Sequence, residues 1–156
     1  MGGGRKRSKK QSGGKTTARE RRRESSVIYI EESLCNCQPI QKVFEDAGIR
    51  VERHYTHFPP GKRTPDHEWL TLVGRKGWIA LTKDKKMRRL PLERAAIKQY
   101  EIKEFCFSSG DLNKDEMAKI LTAHLERMLK LVAKHQGPFE AALTQDSVHI
   151  RDTFDD

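Results

Sequence analysis

Two apolar, strand-like runs each end in a carboxylate. Val27-Ile28-Tyr29-Ile30 leads into Glu31, and Trp78-Ile79-Ala80-Leu81-Thr82-Lys83 leads into Asp84. A third acidic group, Asp66 with Glu68, stands where a helix should begin before the second run. If the two strands are parallel neighbours, these acids meet at one edge of one sheet. Carboxylates a few ångströms apart repel by roughly 4 kcal/mol per pair at an effective dielectric near 20. A divalent cation relieves that repulsion, and oxygen ligands that leave room for water and phosphate suit Mg²⁺ or Mn²⁺. Held there, the ion would activate water, orient a phosphodiester and stabilise the leaving oxygen. The chemistry these residues suggest is metal-dependent phosphodiester hydrolysis.

Each acid also has a plainer reading. Glu31 directly follows its strand and is the preferred ligand, its plainer reading being a solvated strand-end acid; Glu32 is expected to point away unless a bend exchanges the pair. Asp84 is flanked by Lys83 and Lys85, which can pair with it or attract phosphate. Asp66 lies three residues before Trp69 and four before Leu70, so it projects toward the sheet. A first-turn Asp stabilises a helix by itself. Glu68 is a second ligand or a salt-bridge residue. Asp111, after Ser108-Ser109-Gly110, either completes the acidic edge or makes a turn. The basic run Lys83, Lys85, Lys86, Arg88 and Arg89 would guide a nucleic-acid backbone to that edge. His54, His57 and His67 are contacts to phosphate or ordinary polar residues.

Alternating elements must position these groups. Ile40, Val43, Phe44 and Ala47 recur at helical spacing before Gly48. Ile49 to Tyr55 reads as a strand, followed by a loop through Pro59-Pro60-Gly61. Thr64-Pro65-Asp66 is a helix start, with Thr64 as the expected cap. A short helix follows Pro91, and Ile102, Phe105 and Phe107 mark a strand. Asn113 and Glu116 have capping-box spacing before a long helix with one apolar stripe from Met117 to Val132. Phe139–Leu143 and Val148–Arg151 form a terminal hairpin pattern. Strand-helix alternation predicts an α/β, three-layer αβα sandwich with a mostly parallel central sheet.

The net charge of +9 belongs largely to one end of the chain. Residues 1–24 carry ten Lys/Arg and two acids, leaving 21 basic and 20 acidic residues in the remainder. Residues 1–26 therefore read as a disordered basic tail, either an unspecific nucleic-acid arm or a solubilising appendage. Arg19 to Glu24 is the part able to become helical on a partner. Residues 27–156 read as the folded domain. No run is apolar enough to span a membrane and no hydrophobic leader is seen, which points to the cytoplasm. Three cysteines are expected as ordinary thiols; a zinc site from Cys35 and Cys37 would need His54 and His57.

Three stretches, IYIEESL, HFPPGKRTPDHEWLTLVGRKGWIALTKDKKMR and SSGDLNKDEMAKIL, make the region from Val27 to Arg151 resemble the PIN-like nuclease superfamily, especially its compact toxin-like (VapC-type) branch. That resemblance implies an αβα fold and metal-dependent RNA cleavage, with Glu31, Asp66, Asp84 and Asp111 as the catalytic acids and metal ligands, Glu68 assisting. It also implies RNA, an antitoxin protein and a second copy of the chain as partners. Two departures bear on activity. Glu31 stands where Asp is more usual, and Thr56 where relatives often carry an acid. The alternative expectation is a catalytically weak or inactive nucleic-acid-binding or regulatory domain. A protein-interaction module built on the same acidic edge is a third.

Overall fold

The computed structural model describes residues 17–83, 89–109 and 111–155. Six helices and six strands follow in the order α1 (Ala18–Ser25), β1 (Val27–Ile30), α2 (Gln38–Asp46), β2 (Arg50–Arg53), α3 (His54–His57), α4 (Asp66–Lys76), β3 (Ile79–Lys83), α5 (Pro91–Tyr100), β4 (Lys103–Phe107), α6 (Lys114–Lys134), β5 (Phe139–Leu143) and β6 (Val148–Asp152). A 3₁₀ turn, Glu32–Leu34, links β1 to α2. The strands form one sheet in the order β2-β1-β3-β4-β5-β6. The first five are parallel and β6 runs antiparallel to β5. The α/β sandwich expected from the alternating pattern is what forms.

Period-two alternation divides the sheet into two apolar faces. Ile28, Ile30, Ile79, Leu81, Phe105, Phe107 and Phe139 join one core with Phe44 of α2 and the α6 stripe from Met117 to Leu129. Tyr29 and Ala80 join the other, with Trp69, Leu70 and Val73 of α4 and Ala96 and Ile97 of α5. Both faces of the central strands are therefore buried, and their sequences read as near-continuous apolar runs.

Local chemistry sets the helix ends. Asn113 caps α6 by accepting the Glu116 N–H at 2.8 Å, while Glu116 returns to the Asn113 N–H at 2.9 Å. Thr64 does not cap α4; Pro65 occupies that position without a side-chain bond. The second strand stops at Arg53, short of the expected Tyr55, because the chain turns into α3. That turn buries His54, whose Nδ1 lies 2.6 Å from the Tyr29 hydroxyl. Such a short internal bond outweighs the weak strand preference of two residues.

Helix α1 falls within the segment read as a tail. Thr17 and Glu20 close a capping box over it, and its arginines meet Glu126 of α6. No residue of α1 is buried. Of these arginines Arg19 is exposed, while Arg22 and Arg23 are about three-quarters covered; an exposed pair contributes only about 0.2–1 kcal/mol.

Cys35, Cys37 and Cys106 are buried free thiols. Cys35 Sγ accepts the Tyr55 N–H at 3.5 Å, and His57 Nε2 lies 2.8 Å from Glu52 Oε1. These groups are engaged in packing and hydrogen bonding among the described residues. No helix among the described residues is long and apolar enough to cross a membrane.

Helix α4 packs tightly on the end of α5 at Gly74, where a Cβ would lie 2.8 Å from Tyr100 Cγ and close against Tyr100 Cβ. Overpacking of this kind costs about 1–3 kcal/mol. Gly74→Ala should therefore lower the urea midpoint by that much stability without changing the slope. An unchanged midpoint would show that α4 and α5 separate freely.

Candidate functional site

The sheet order reverses direction between β1 and β3, because β2 lies on the other side of β1. Ligands of open α/β sheets bind at such a switch point, outside the carboxyl ends of the strands. The Glu31 N–H donates to the Leu81 carbonyl at 3.1 Å, so the end of β1 is tied to β3. Glu31 is buried, and the Ser33 hydroxyl donates to its Oε1 at 2.7 Å. Glu32 turns instead toward a cavity of about 380 Å³ that Asp66 and Arg63 also line. There Glu32 accepts the Tyr55 hydroxyl at 3.0 Å, a bond that raises the tyrosine pKa.

Asp66 occupies the first position of α4, and both its carboxylate oxygens have partners. Trp69 Nε1 donates to Oδ1 at 3.0 Å and Arg89 Nη1 to Oδ2 at 3.2 Å. Arg89 also pairs with Glu93 at 3.6 Å and, through Nη2, with Glu104. Its guanidinium carbon stands 5.9 Å from the Trp69 ring centre, within cation–π range. Only 13% of the Arg89 side chain is exposed. One guanidinium thus gathers carboxylates from α4, α5 and β4.

Glu104 is the most constrained member of this cluster. It is 1% exposed, and the Thr82 hydroxyl donates to its Oε2 at 2.7 Å. Its Oε1 is buried with no hydrogen-bond partner among the described residues. Burial pushes the Glu104 carboxyl above the usual glutamate range; Arg89 pulls it back and Glu140 pushes it further. Burial also opposes the Arg89 charge, but the summed field of Glu104, Asp66, Glu93 and Glu140 outweighs it and raises that pKa. Nearby, burial pushes the Cys106 thiol up to about 11, leaving it protonated at neutral pH.

This cluster forms one wall of a cavity of about 800 Å³. Thr82, Glu104 and Cys106 line its sheet side, Asp66 and His67 the start of α4, and Arg94, Arg151 and Asp152 its far side. Arg94 is held by Asp152 at 3.0 Å and stacks over Phe154 at 4.8 Å. Sequence reasoning missed Glu104. A signal existed: it alternates with Cys106 in a strand whose other face is Phe105 and Phe107, so its charge had to find a buried partner.

The anticipated ligands are distributed unevenly. Asp66 is in the cluster; Glu31 is buried at the end of β1. Glu68 is exposed, and exposed Asp111 donates its N–H to Ser109 Oγ at 3.2 Å in a turn. Lys83 lines the larger cavity, and Arg89 points inward rather than onto a rim. Asp84, Lys85, Lys86 and Arg88 lie outside the described residues. Among the described residues, no three His, Cys, Asp or Glu side chains are disposed to hold a metal ion. At Asp66 the positive charge comes from Arg89, so in this arrangement the described side chains fit a guanidinium rather than a metal.

Removing one member of a buried ion pair leaves the other charge uncompensated, at a cost of about 3–5 kcal/mol. Arg89→Met should destabilise the fold on that scale, and pairing it with Glu104→Gln should recover part of the loss in a double-mutant cycle. Additive single effects would rule out coupling. Because the Glu104 pKa is raised on folding, its contribution to stability declines as pH rises through the folded value. The stability of wild type relative to Glu104→Gln should therefore fall over that pH range, as read by denaturant titration.

Comparison with known proteins follows the same lines. The chain is 27% identical over 114 residues to "Putative ribonuclease VapC45" of Mycobacterium tuberculosis, covering 72% of this chain and 81% of that protein. No solved structure matches it. The PIN-like domain family matches residues 32–109, from the turn after β1 to the loop after β4, and so covers the smaller cavity and the Asp66, Arg89, Glu93 and Glu104 wall of the larger one. Strand order, the acid-bearing switch point and this match agree: the chain belongs to the PIN-like domain family.

Proposed function

We propose that this protein is a nucleic-acid-directed PIN-like domain, catalytically weak in the arrangement described, in which Arg89 neutralises the acidic site. The observation that carries this reading is the ion-pair cluster of Arg89 with Asp66, Glu93 and Glu104. A divalent ion at Asp66 would have to compete with a guanidinium that is already desolvated and charge-matched. Family membership, the basic residues Lys83, Lys85, Lys86 and Arg88 and the Arg-rich amino-terminal segment support RNA as the ligand. The setting is the cytoplasm, with an antitoxin-like protein and a second copy of the chain as further partners.

A second reading is an Mg²⁺- or Mn²⁺-dependent ribonuclease, with Glu31, Asp66, Asp84 and Asp111 as ligands and Glu68 assisting. The printed name of the mycobacterial relative favours it. So does the position of Glu31 beside the end of β3, one residue before Asp84. In that case Arg89 must leave Asp66, and the metal would supply an activated water and charge stabilisation on the leaving oxygen.

Binding and cleavage of a mixed-sequence RNA pool, in chelator and then with Mg²⁺ or Mn²⁺ restored, separates the two. The expected result is salt-dependent binding that persists in chelator, with little cleavage on restoring metal. Metal-dependent cleavage that Asp84→Asn and Glu31→Gln abolish would establish the ribonuclease and overturn the weak-domain reading.

A further inference from the structure

We infer that α1 is an RNA-binding arm stored against the domain by one carboxylate, and that the RNA backbone competes with Glu126 for its arginines. The inference rests on the nucleic-acid reading above but on a different part of the molecule. Arg19, Arg22 and Arg23 are three and four residues apart, hence on one helix face. All three converge on Glu126: Arg19 Nε at 3.1 Å, Arg22 Nη2 at 3.8 Å and Arg23 Nη2 at 2.5 Å. A single negative charge, with its side chain 31% exposed, faces three positive ones. The Arg22 Nε is shielded from solvent and has no hydrogen-bond partner among the described residues.

No residue of α1 is buried, and the contact is made by partly exposed side chains, with Arg19 61%, Arg22 25% and Arg23 24% exposed. Attraction between exposed charges is weakened by salt and open to any competing anion. A single-stranded RNA backbone is such a competitor, because each phosphate accepts charge-assisted, bidentate bonds from arginine. The sequence immediately before α1 extends the same charge with Arg5, Lys6, Arg7, Lys9, Lys10 and Lys15. An arm held by one carboxylate keeps its guanidinium groups ordered until a polyanion of higher charge density takes them.

The test uses the full-length protein in chelator, with a fluorescein-labelled single-stranded RNA of mixed sequence titrated across a salt series. Glu126→Gln should tighten binding roughly three- to tenfold, the loss of a few weak surface pairs. Its salt dependence should steepen as the freed arginines reach phosphate. Amide exchange over residues 18–25 should accelerate in the same variant, because a free helix of eight residues does not hold by itself. The combined Arg19→Gln, Arg22→Gln, Arg23→Gln variant reads the contact from the other side. It should weaken binding and reduce the logarithmic salt slope by about 2, given about 0.7 per phosphate contact. Unchanged or weaker binding by Glu126→Gln, while wild type binds RNA, would overturn the stored-arm proposal alone. Absence of salt-dependent RNA binding by wild type would overturn the nucleic-acid reading itself. Equal affinity for poly-glutamate-competed and uncompeted samples is expected; displacement of RNA by poly-glutamate at matched charge would reassign the arm to acidic proteins.

Discussion

A carboxylate buried in a central strand has to be met by a positive charge from elsewhere in the chain. Glu104 is that carboxylate, and Arg89 is the charge that meets it. The Arg89 side chain comes from the segment before α5, reaches β4 and also engages the first residue of α4. One planar cation with several donors can serve three carboxylates at once, which a lysine ammonium would do less well. The start of α4, the entry to α5 and the middle of the sheet are therefore coupled through a single group. Hydrophobic packing on the same face, from Tyr29 and Trp69 to Ile97, supplies the apolar surroundings that make the pairing strong.

That arrangement gives electrostatic meaning to family membership. The carboxylates of Asp66, Glu93 and Glu104 need a cation to stay assembled, and the Arg89 guanidinium meets the need. Asp66 has both oxygens occupied, by an indole N–H and by Arg89. The two proposed functions thus differ in which cation prevails at one carboxylate. The sheet topology is common to both, since β1 and β3 end side by side at the switch point.

The amino-terminal segment follows a different logic. The core is held by burial on two faces of a sheet, whereas α1 has no buried residue and meets α6 through ion pairs to Glu126. Burial-driven contacts are not weakened by charge screening, and charge-driven ones at the surface are. The two parts of the chain accordingly respond to different conditions.

Much of the architecture was legible in the linear order of residues. Apolar runs such as Val27–Ile30 and the stripe from Met117 to Val132 carry their own period, and Asn113 with Glu116 carries its own cap. The terminal hairpin and the acid at the start of α4 were likewise readable. Less legible was the end of β2, where a bond from Tyr29 to His54 overrides local preference. The choice of Glu32 over Glu31 as the neighbour of Asp66 in the smaller cavity depends on the 3₁₀ turn, which no periodicity announces. By itself the sequence determined the main strands and helices from Val27 onward, their faces and the placing of acids near strand ends, because those depend on spacing between neighbours; α1, α3 and the 3₁₀ turn were not among them. Only the tertiary structure decided that Arg89 turns inward to Asp66, Glu93 and Glu104, and that three arginines of α1 share Glu126. The physical reason is that a charge finds its partner by distance in space, and residues 15 or 103 positions apart have no local pattern that records the pairing.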